Sequence, residues 1–437
     1  MNSLYLKNNQ DIFLLHGEGI SPPLHGCSRQ PSQRLNNGHC MERLLLVVQG
    51  TPAQGRQILA RLQSFLERIH QGYPVSIHLQ VEERGDVYQS KVYEGDFNWV
   101  ISSVQIKGFG IQLDLERDDF WEASLYSLPL TNRYGTQISG GIRVDNRSDV
   151  GGENQVTWGT EDVLGELSAP AQLLIHHDLN AEHQFERITC GMLRGINNSL
   201  PVVEGELASS GVSFSTAMDA NCNGGSFGSA QWSGTGEERL FSWILSGAFS
   251  GLLTGLPLRS YLRFPTDFVC AQDILVYWTL EQDGLIYQSE ARRLDPERQL
   301  QELPILRFPA VCLPYNDLAN MQLNLIGKAV AEGSHTLQVD AVFFLGLDGF
   351  RQYQAQPGAG LTFGKTLLDF PDQALPVLLD TQSQQISRNF QMLGQGIQVT
   401  PNEHQSLQIL SEQGSAMPVD ASLRLELRYR PRVRVLP

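Results

Sequence analysis

Residues 43–72 read RLLLVVQGTPAQGRQILARLQSFLERIHQG. Arg43 to Gln49 is an aliphatic run of strand length, and Gly50 breaks it. Thr51 then supplies an N-cap hydroxyl, and Pro52 sits at the first helical position, where its missing N–H costs nothing. Beyond it Ile58, Leu59, Leu62, Phe65, Leu66 and Ile69 recur at three- and four-residue steps, which lays one apolar stripe along a helix; Arg56, Arg61, Glu67 and Arg68 fall largely outside that stripe. Gly72 stops it. The stretch predicts a helix over residues 52–71 directly after a strand.

Outward from the helix the pattern changes to period two. Pro74 to Val81, Val87 to Tyr93, Phe97 to Ile106 and Ile111 to Leu115 are β-branched or aromatic runs bounded by Gly, Asp or Asn, each reading as a strand. Residues 41–135 are therefore expected to form one helix packed on a small sheet or barrel. Residues 1–40 are polar and read as a loop-like N-terminal arm with one strand at Ile12 to Leu15. Residues 135–155, rich in Gly, Ser, Asn and Asp, read as a domain boundary.

From 156 to 310 come short apolar segments, among them Gln172 to Ile175, Ile188 to Leu193, Trp243 to Leu253, Ser260 to Phe264 and Ile274 to Leu280. Turn residues separate them, as in a sandwich or jelly roll. Within this region Ser209 to Gly236 is so rich in Ser, Gly and Asn that it reads as an exposed, mobile loop. Residues 311–437 carry further strands at Leu337 to Leu345, Leu375 to Leu379, Gly396 to Val399, Ser406 to Leu410 and Ala421 to Arg428. They either complete the sandwich or form a third domain. The fold class expected is mainly β: a helix-bearing sandwich or barrel followed by one or two jelly-roll-like sandwiches.

The 41 glycines and 21 prolines agree with many turns between short elements. A net charge of -15 argues against wrapping nucleic acid, which relies on Lys and Arg displacing counterions. Arg424, Arg428, Arg430, Arg432 and Arg434 gather near the end, and their spacing of two points most of them to one face of an extended strand, toward an acidic surface or solvent. No apolar run approaches the roughly 20 residues of a membrane span, and the first residues lack the pattern of a secretory leader. Cytosolic synthesis and assembly are expected. Six cysteines without CxxC spacing indicate free thiols rather than a disulfide framework.

Several motifs imitate chemistry. Gly224-Gly225-Ser226-Phe227-Gly228 matches G-x-S-x-G, but no apolar strand precedes it and no helix follows, so a Gly/Ser loop is the expectation. Asp219, Asn221, Asn223 and Gly224 resemble the first half of a calcium loop; its twelfth position is Ala230, which removes the bidentate Glu. His176, His177, Asp178 and His183 cluster within eight residues, though adjacent histidines on a strand face opposite ways. His25, Cys27, His39 and Cys40 match no zinc-finger spacing. The pairs Glu82-Glu83, Asp118-Asp119 and Glu237-Glu238 read as solvated turns. Among Trp232, Trp243, Tyr261, Tyr277, Trp278 and Tyr287, core rings are expected, with Trp232 and Trp243 the candidate glycan contacts. No catalytic residue, metal or cofactor is expected.

In Arg43 to Trp121 the order strand, Gly-Thr-Pro, helix, PVSIHLQVEERGDVYQSKVYEGDFNWV, IQLDLERDDFWEAS resembles tail-ring proteins of long-tailed phages, the distal tail and tail-tube family. Gly165 to Ile175 (GELSAPAQLLI) is similar to the entry into their jelly roll, and Ala341 to Phe350 with Tyr429 to Arg432 resembles their closing strands. The resemblance implies a non-enzymatic virion subunit that joins copies of itself through the helix-bearing domain into a ring, most simply a hexamer. It also implies docking to neighbouring tail or baseplate proteins, with host-surface glycan as a further partner. Two features depart from the family: the chain is longer than a simple tube subunit, and 209–236 has no counterpart. The alternatives are a carbohydrate-binding, adhesin-like module and, behind it, a β-sandwich hydrolase.

Overall fold

The computed structural model describes residues 3–18, 24–49, 51–81, 85–100, 109–147, 152–178, 182–194, 201–245, 257–270, 273–282, 285–306 and 321–434. The chain is mainly β and built from antiparallel sheets; among the described residues there is one α-helix and no sheet closes into a barrel. It divides into two compact units, neither of them contiguous. Unit 1 comprises Met1–Tyr126, Leu164–Ala169 and Arg430–Pro437; unit 2 comprises Ser127–Val163 and Pro170–Tyr429.

In unit 1 the helix spans Pro52–His70. A capping box starts it: Gln54 N–H donates to Thr51 Oγ1 at 3.4 Å, and Thr51 N–H donates to the Gln54 side chain at 2.9 Å. Gly72, at φ +81°, lets the Tyr73 N–H reach back to the Arg68 carbonyl at 2.9 Å and closes the last turn. Leu59, Leu62, Phe65, Leu66 and Ile69 are buried in the core of this unit and Ile58 packs at its margin. Each buried side chain of this size contributes about 1.5–3 kcal/mol. The apolar stripe is therefore consumed inside its own unit and is not the surface through which copies would join.

The sheet beneath runs in the order Ile12–His16, Ser3–Lys7, Val75–Val81, Asp86–Val100, Phe109–Asp118, His39–Val48, Leu24–Arg29. The two separate strands expected over Val87 to Ile106 are one strand as far as it is described, Asp86–Val100, and it carries Gly95 beneath the helix. A Cβ there would lie 2.6 Å from Leu66 and 2.9 Å from Leu115, so the glycine is what lets helix and sheet approach. The strand expected at Ile12 to Leu15 is present as Ile12–His16, but the rest of residues 3–18 and 24–40 is not the loop-like arm expected. SLYLK and IFLLH alternate inward Leu or Phe with outward residues, and a period of two at that spacing makes them strands that extend the sheet. Arg432–Val433 also joins unit 1, pairing with Trp121–Glu122.

The RDDFW stretch supplies the polar heart of unit 1. Arg117 is buried, with Nη2 2.8 Å and Nε 3.0 Å from Glu42 Oε2, and Arg29 Nη2 lies 3.2 Å from the same oxygen. Both guanidiniums lie over the Trp121 ring, at 4.4 and 5.1 Å. One buried carboxylate thus offsets the buried Arg117 and the partly exposed Arg29, and the Trp121 ring packs against both.

Unit 2 holds the remaining sheets. Ala169–His177 lies between Leu423–Tyr429 and Lys365–Asp369, while Arg187–Arg194 lies between Gln405–Glu412 and Arg351–Ala355. A four-stranded sheet (Val202–Glu204, Ala341–Gly346, Leu258–Arg263, Leu300–Leu306) shares one core with a five-stranded sheet centred on Ile274–Gln282 and Gln322–Ala329. Trp278, Phe344, Leu262 and Leu325 meet there.

Three expectations fail in this unit. The 209–236 stretch is no loop: Ser213–Met218 and Ser226–Ser233 are paired strands, the latter also paired with Ser334–Val339. Its glycines serve close packing, since a Cβ on Gly228 would sit 2.3 Å from the Gly205 carbonyl oxygen. The span Leu337 to Leu345 is two strands in different sheets, broken at Asp340. Residues 135–155 lie inside unit 2, where Asn146 Nδ2 donates to the Ser411 and Pro418 carbonyls at 2.8 and 2.6 Å. Of Trp243 to Leu253, the start belongs to strand Glu237–Ile244, and 246–253 lies outside the described residues.

Candidate functional site

The densest polar node lies in unit 2, where the strand end at Glu204, the turn 219–226 and the break at Asp340 converge. Asp340 is buried, and the Arg263 guanidinium lies 2.8 Å from its Oδ2. The Asn223 N–H donates to Asp340 Oδ1 at 2.8 Å, and the Asn223 side chain donates to Glu204 Oε1. Arg263 Nη2 reaches the Asn221 carbonyl at 2.7 Å, while Trp243 Nε1 donates to the Glu204 carbonyl at 2.7 Å. Gly224, at φ +64°, turns the chain past Glu206 and Glu204.

Burial pushes the Glu204 carboxyl up to about 8, helped by the charges of Glu206 and Asp340. Burial likewise lifts Asp340 to about 7 against the pull of Arg263, and raises Glu206. Glu204 and Asp340 share one guanidinium with Glu206 beside them, so burial raises all three carboxyls and repulsion among them adds to the rise of Glu204 and Asp340.

The sequence candidates at this node take structural roles. Ser226 opens an extended strand at φ −154°, ψ 168°, and its hydroxyl bonds Glu206. The strained strand-to-helix turn of a nucleophile elbow is therefore missing. Asp219 Oδ1 accepts the Asn221 N–H at 2.9 Å, closing a local turn, and Ala230 is buried. Glu204, Glu206, Arg263 and Asp340 lie outside every motif, and only their burial marks them.

Trp232 and Trp243 are 7% and 4% exposed, so neither offers a ring face to a sugar; both are core, as are Tyr261 and Trp278. His176 bonds Thr366 Oγ1 at 2.9 Å, while the neighbouring His177 is buried and packs on Phe185, confirming opposite faces. Asp178 pairs with Arg424, and His183 contacts Gln413 and the Asp420 carbonyl. His39 stacks on Tyr93 and pairs with Glu116 at 2.6 Å; Cys27 and Cys40 are free thiols, and the His25 side chain lies outside the described residues. Among the described residues, no group of three or more His, Cys, Asp or Glu is disposed to hold a metal ion.

Asp118 accepts from Tyr93, Asp119 pairs with Arg34 and Glu237 accepts from Tyr277, whereas Glu82 and Glu83 lie outside the described residues. The terminal arginines find partners within their own units: Arg428 on Glu426, Arg432 on Glu122, and Arg430 on the Ala123 carbonyl.

No family model and no curated protein sequence matches the chain. Solved structures overlap it loosely. A chain of the activated, calcium-containing phage P2 baseplate does so at 9% identity and a TM-score of 0.22, over 78% of this chain and 97% of that one. An exo-β-1,3-galactanase of Phanerochaete chrysosporium with galactose matches at 8% identity and 0.22, over 78% and 88%. An infectious bursal disease virus chain matches at 9% and 0.16, over 72% and 82%. Overlaps at this level define neither a shared fold nor a shared function. Among the described residues, no helix is long and apolar enough to cross a membrane.

Proposed function

We propose that the chain is a non-enzymatic structural subunit of a phage-like tail, at the level of the distal tail, tube or a baseplate-proximal ring. It assembles in the host cytoplasm into a ring of copies of itself, most simply six, and docks neighbouring tail proteins; unit 2 contributes sandwich layers of jelly-roll kind. One observation carries this reading. The strand His39–Val48, the capped helix and the antiparallel run to Asp118 fold as one compact unit in the element order on which the tail-ring resemblance rests. Because the helix stripe is spent within that unit, self-association uses its remaining surface, where Arg56, Gln63 and Glu67 are exposed.

Sedimentation velocity and negative-stain imaging of the full chain, alone and with the products of neighbouring genes, test the proposal. Closed rings in either sample support it. A strict monomer in both overturns it.

A further inference from the structure

A groove of 620 Å³ opens in unit 2 between the strands Leu285–Gln288 and Leu300–Leu306. This volume falls in the range of about 300–1,000 Å³ typical of small-ligand sites. Among the described residues each wall strand is the last of its sheet's main path: one pairs with Ile274–Gln282 and the other with Leu258–Arg263. The floor is fixed. Trp278 is buried, its Nε1 donates to Ser260 Oγ at 2.9 Å, and its backbone N–H donates to Ser289 Oγ at 2.9 Å.

The walls mix two chemistries. Glu302 stands between two guanidiniums, with Oε1 2.5 Å from Arg259 and Oε2 3.6 Å from Arg292. The Arg259 guanidinium lies over the Phe350 ring at 4.3 Å, a cation–π contact that helps hold the side chain in place. Glu290 also lines the groove, so two cations meet two anions and the lining is neutral. Tyr287 is half-buried and Ile305 is 45% exposed, adding an aromatic and an aliphatic surface beside these polar groups.

We propose that this groove binds a neutral oligosaccharide, on the order of two or three sugar rings long. A sugar hydroxyl both donates and accepts, so it can bridge a carboxylate and a guanidinium without separating them, whereas an ionic ligand would have to break the pairs. The C–H faces of a pyranose pack on an aromatic ring and an aliphatic edge, which Tyr287 and Ile305 supply. An added peptide strand is disfavoured because Pro304 removes a backbone donor from the wall strand. The proposal goes beyond the tail reading and stands whether or not the chain forms rings.

The test is saturation-transfer NMR on the full chain with maltotriose, cellotriose, β-1,4-galactobiose and β-1,4-mannotriose, followed by calorimetry on the strongest binder. Transfer to at least one neutral saccharide is expected, and Tyr287→Ala and Glu302→Gln should each weaken binding by roughly tenfold. Near-UV circular dichroism checks that each variant is folded; should Tyr287→Ala unfold, Gln288→Ala at the exposed wall replaces it. Transfer to no neutral saccharide overturns the proposal. So does binding confined to charged probes such as sialyllactose, or binding that both folded variants retain in full. None of these variants lies in unit 1, so this failure and failure of ring assembly are read separately.

Discussion

Replacing Glu204 by Gln should remove a pH-dependent loss of stability from unit 2. In the folded chain the Glu204 carboxyl holds its proton up to about 8, against an ordinary value of 4.5. Between those two values the unfolded chain has released a proton that the folded chain retains, so stability falls as pH rises. The contribution is complete below about pH 4.5 and lost as pH passes 8. At about 1.4 kcal/mol per decade the ceiling is about 5 kcal/mol, and the side chain's partial exposure brings this to roughly 2–3 kcal/mol. Glutamine reproduces the protonated form: its oxygen accepts from Asn223, and its amide can donate toward Glu206. Glu204→Gln should therefore match the parent at pH 5 and exceed it by roughly 2–3 kcal/mol at pH 9. Urea unfolding followed by tryptophan fluorescence reads this directly, because Trp243 donates to the Glu204 carbonyl. Equal losses of stability between pH 5 and pH 9 in the two proteins would refute the assignment of the proton to Glu204.

In unit 1, Phe65→Ala empties a fully packed position under the helix and should cost about 3–5 kcal/mol; a fall in thermal midpoint of under a degree would mean the helix is not anchored there. Thr51→Ala removes the side-chain half of the capping box, leaving the backbone N–H to the Gln54 side chain, and should cost about 1 kcal/mol in chemical denaturation, with Thr51→Ser restoring most of it. Arg117→Met leaves Glu42 with Arg29 alone and should cost about 3 kcal/mol, part of which the double change Arg117→Met with Glu42→Met recovers. No recovery in that double variant would show that the ring stacking on Trp121, rather than the ion pair, holds the site.

The helix was legible because its signals are local: cap, periodic stripe and glycine stop all fall within about twenty residues. Strand runs were legible for the same reason wherever aliphatic residues dominate. The Ser213–Ser233 hairpin was not, because its alternation is written in Ser, Phe, Ala and Gly; its glycines permit backbone crossing at Gly205, a fact visible only in three dimensions. Most of the aromatic set reads as core, but composition could not show that Trp232 and Trp243, singled out as glycan contacts, are buried with the rest. The polar node escaped because Glu204, Arg263 and Asp340 are far apart in sequence, and isolated charges ordinarily read as surface. Nor could a linear reading find that the chain leaves unit 1 after Tyr126, re-enters it at Leu164–Ala169 and returns finally at Arg430.

That return sets a timetable for synthesis. Trp121 emerges from the ribosome roughly 300 residues before its strand partner Val433, which at about 5–20 residues per second is a delay of roughly 15–60 s. Throughout that interval Trp121–Glu122 lacks its Arg432–Val433 partner, and unit 2 also waits for its own late strand, Leu423–Tyr429. Chains truncated after Tyr429 should accordingly keep the protease resistance of unit 2 while unit 1 becomes more sensitive than in the full chain, and unchanged resistance of unit 1 would show that the late strand is dispensable.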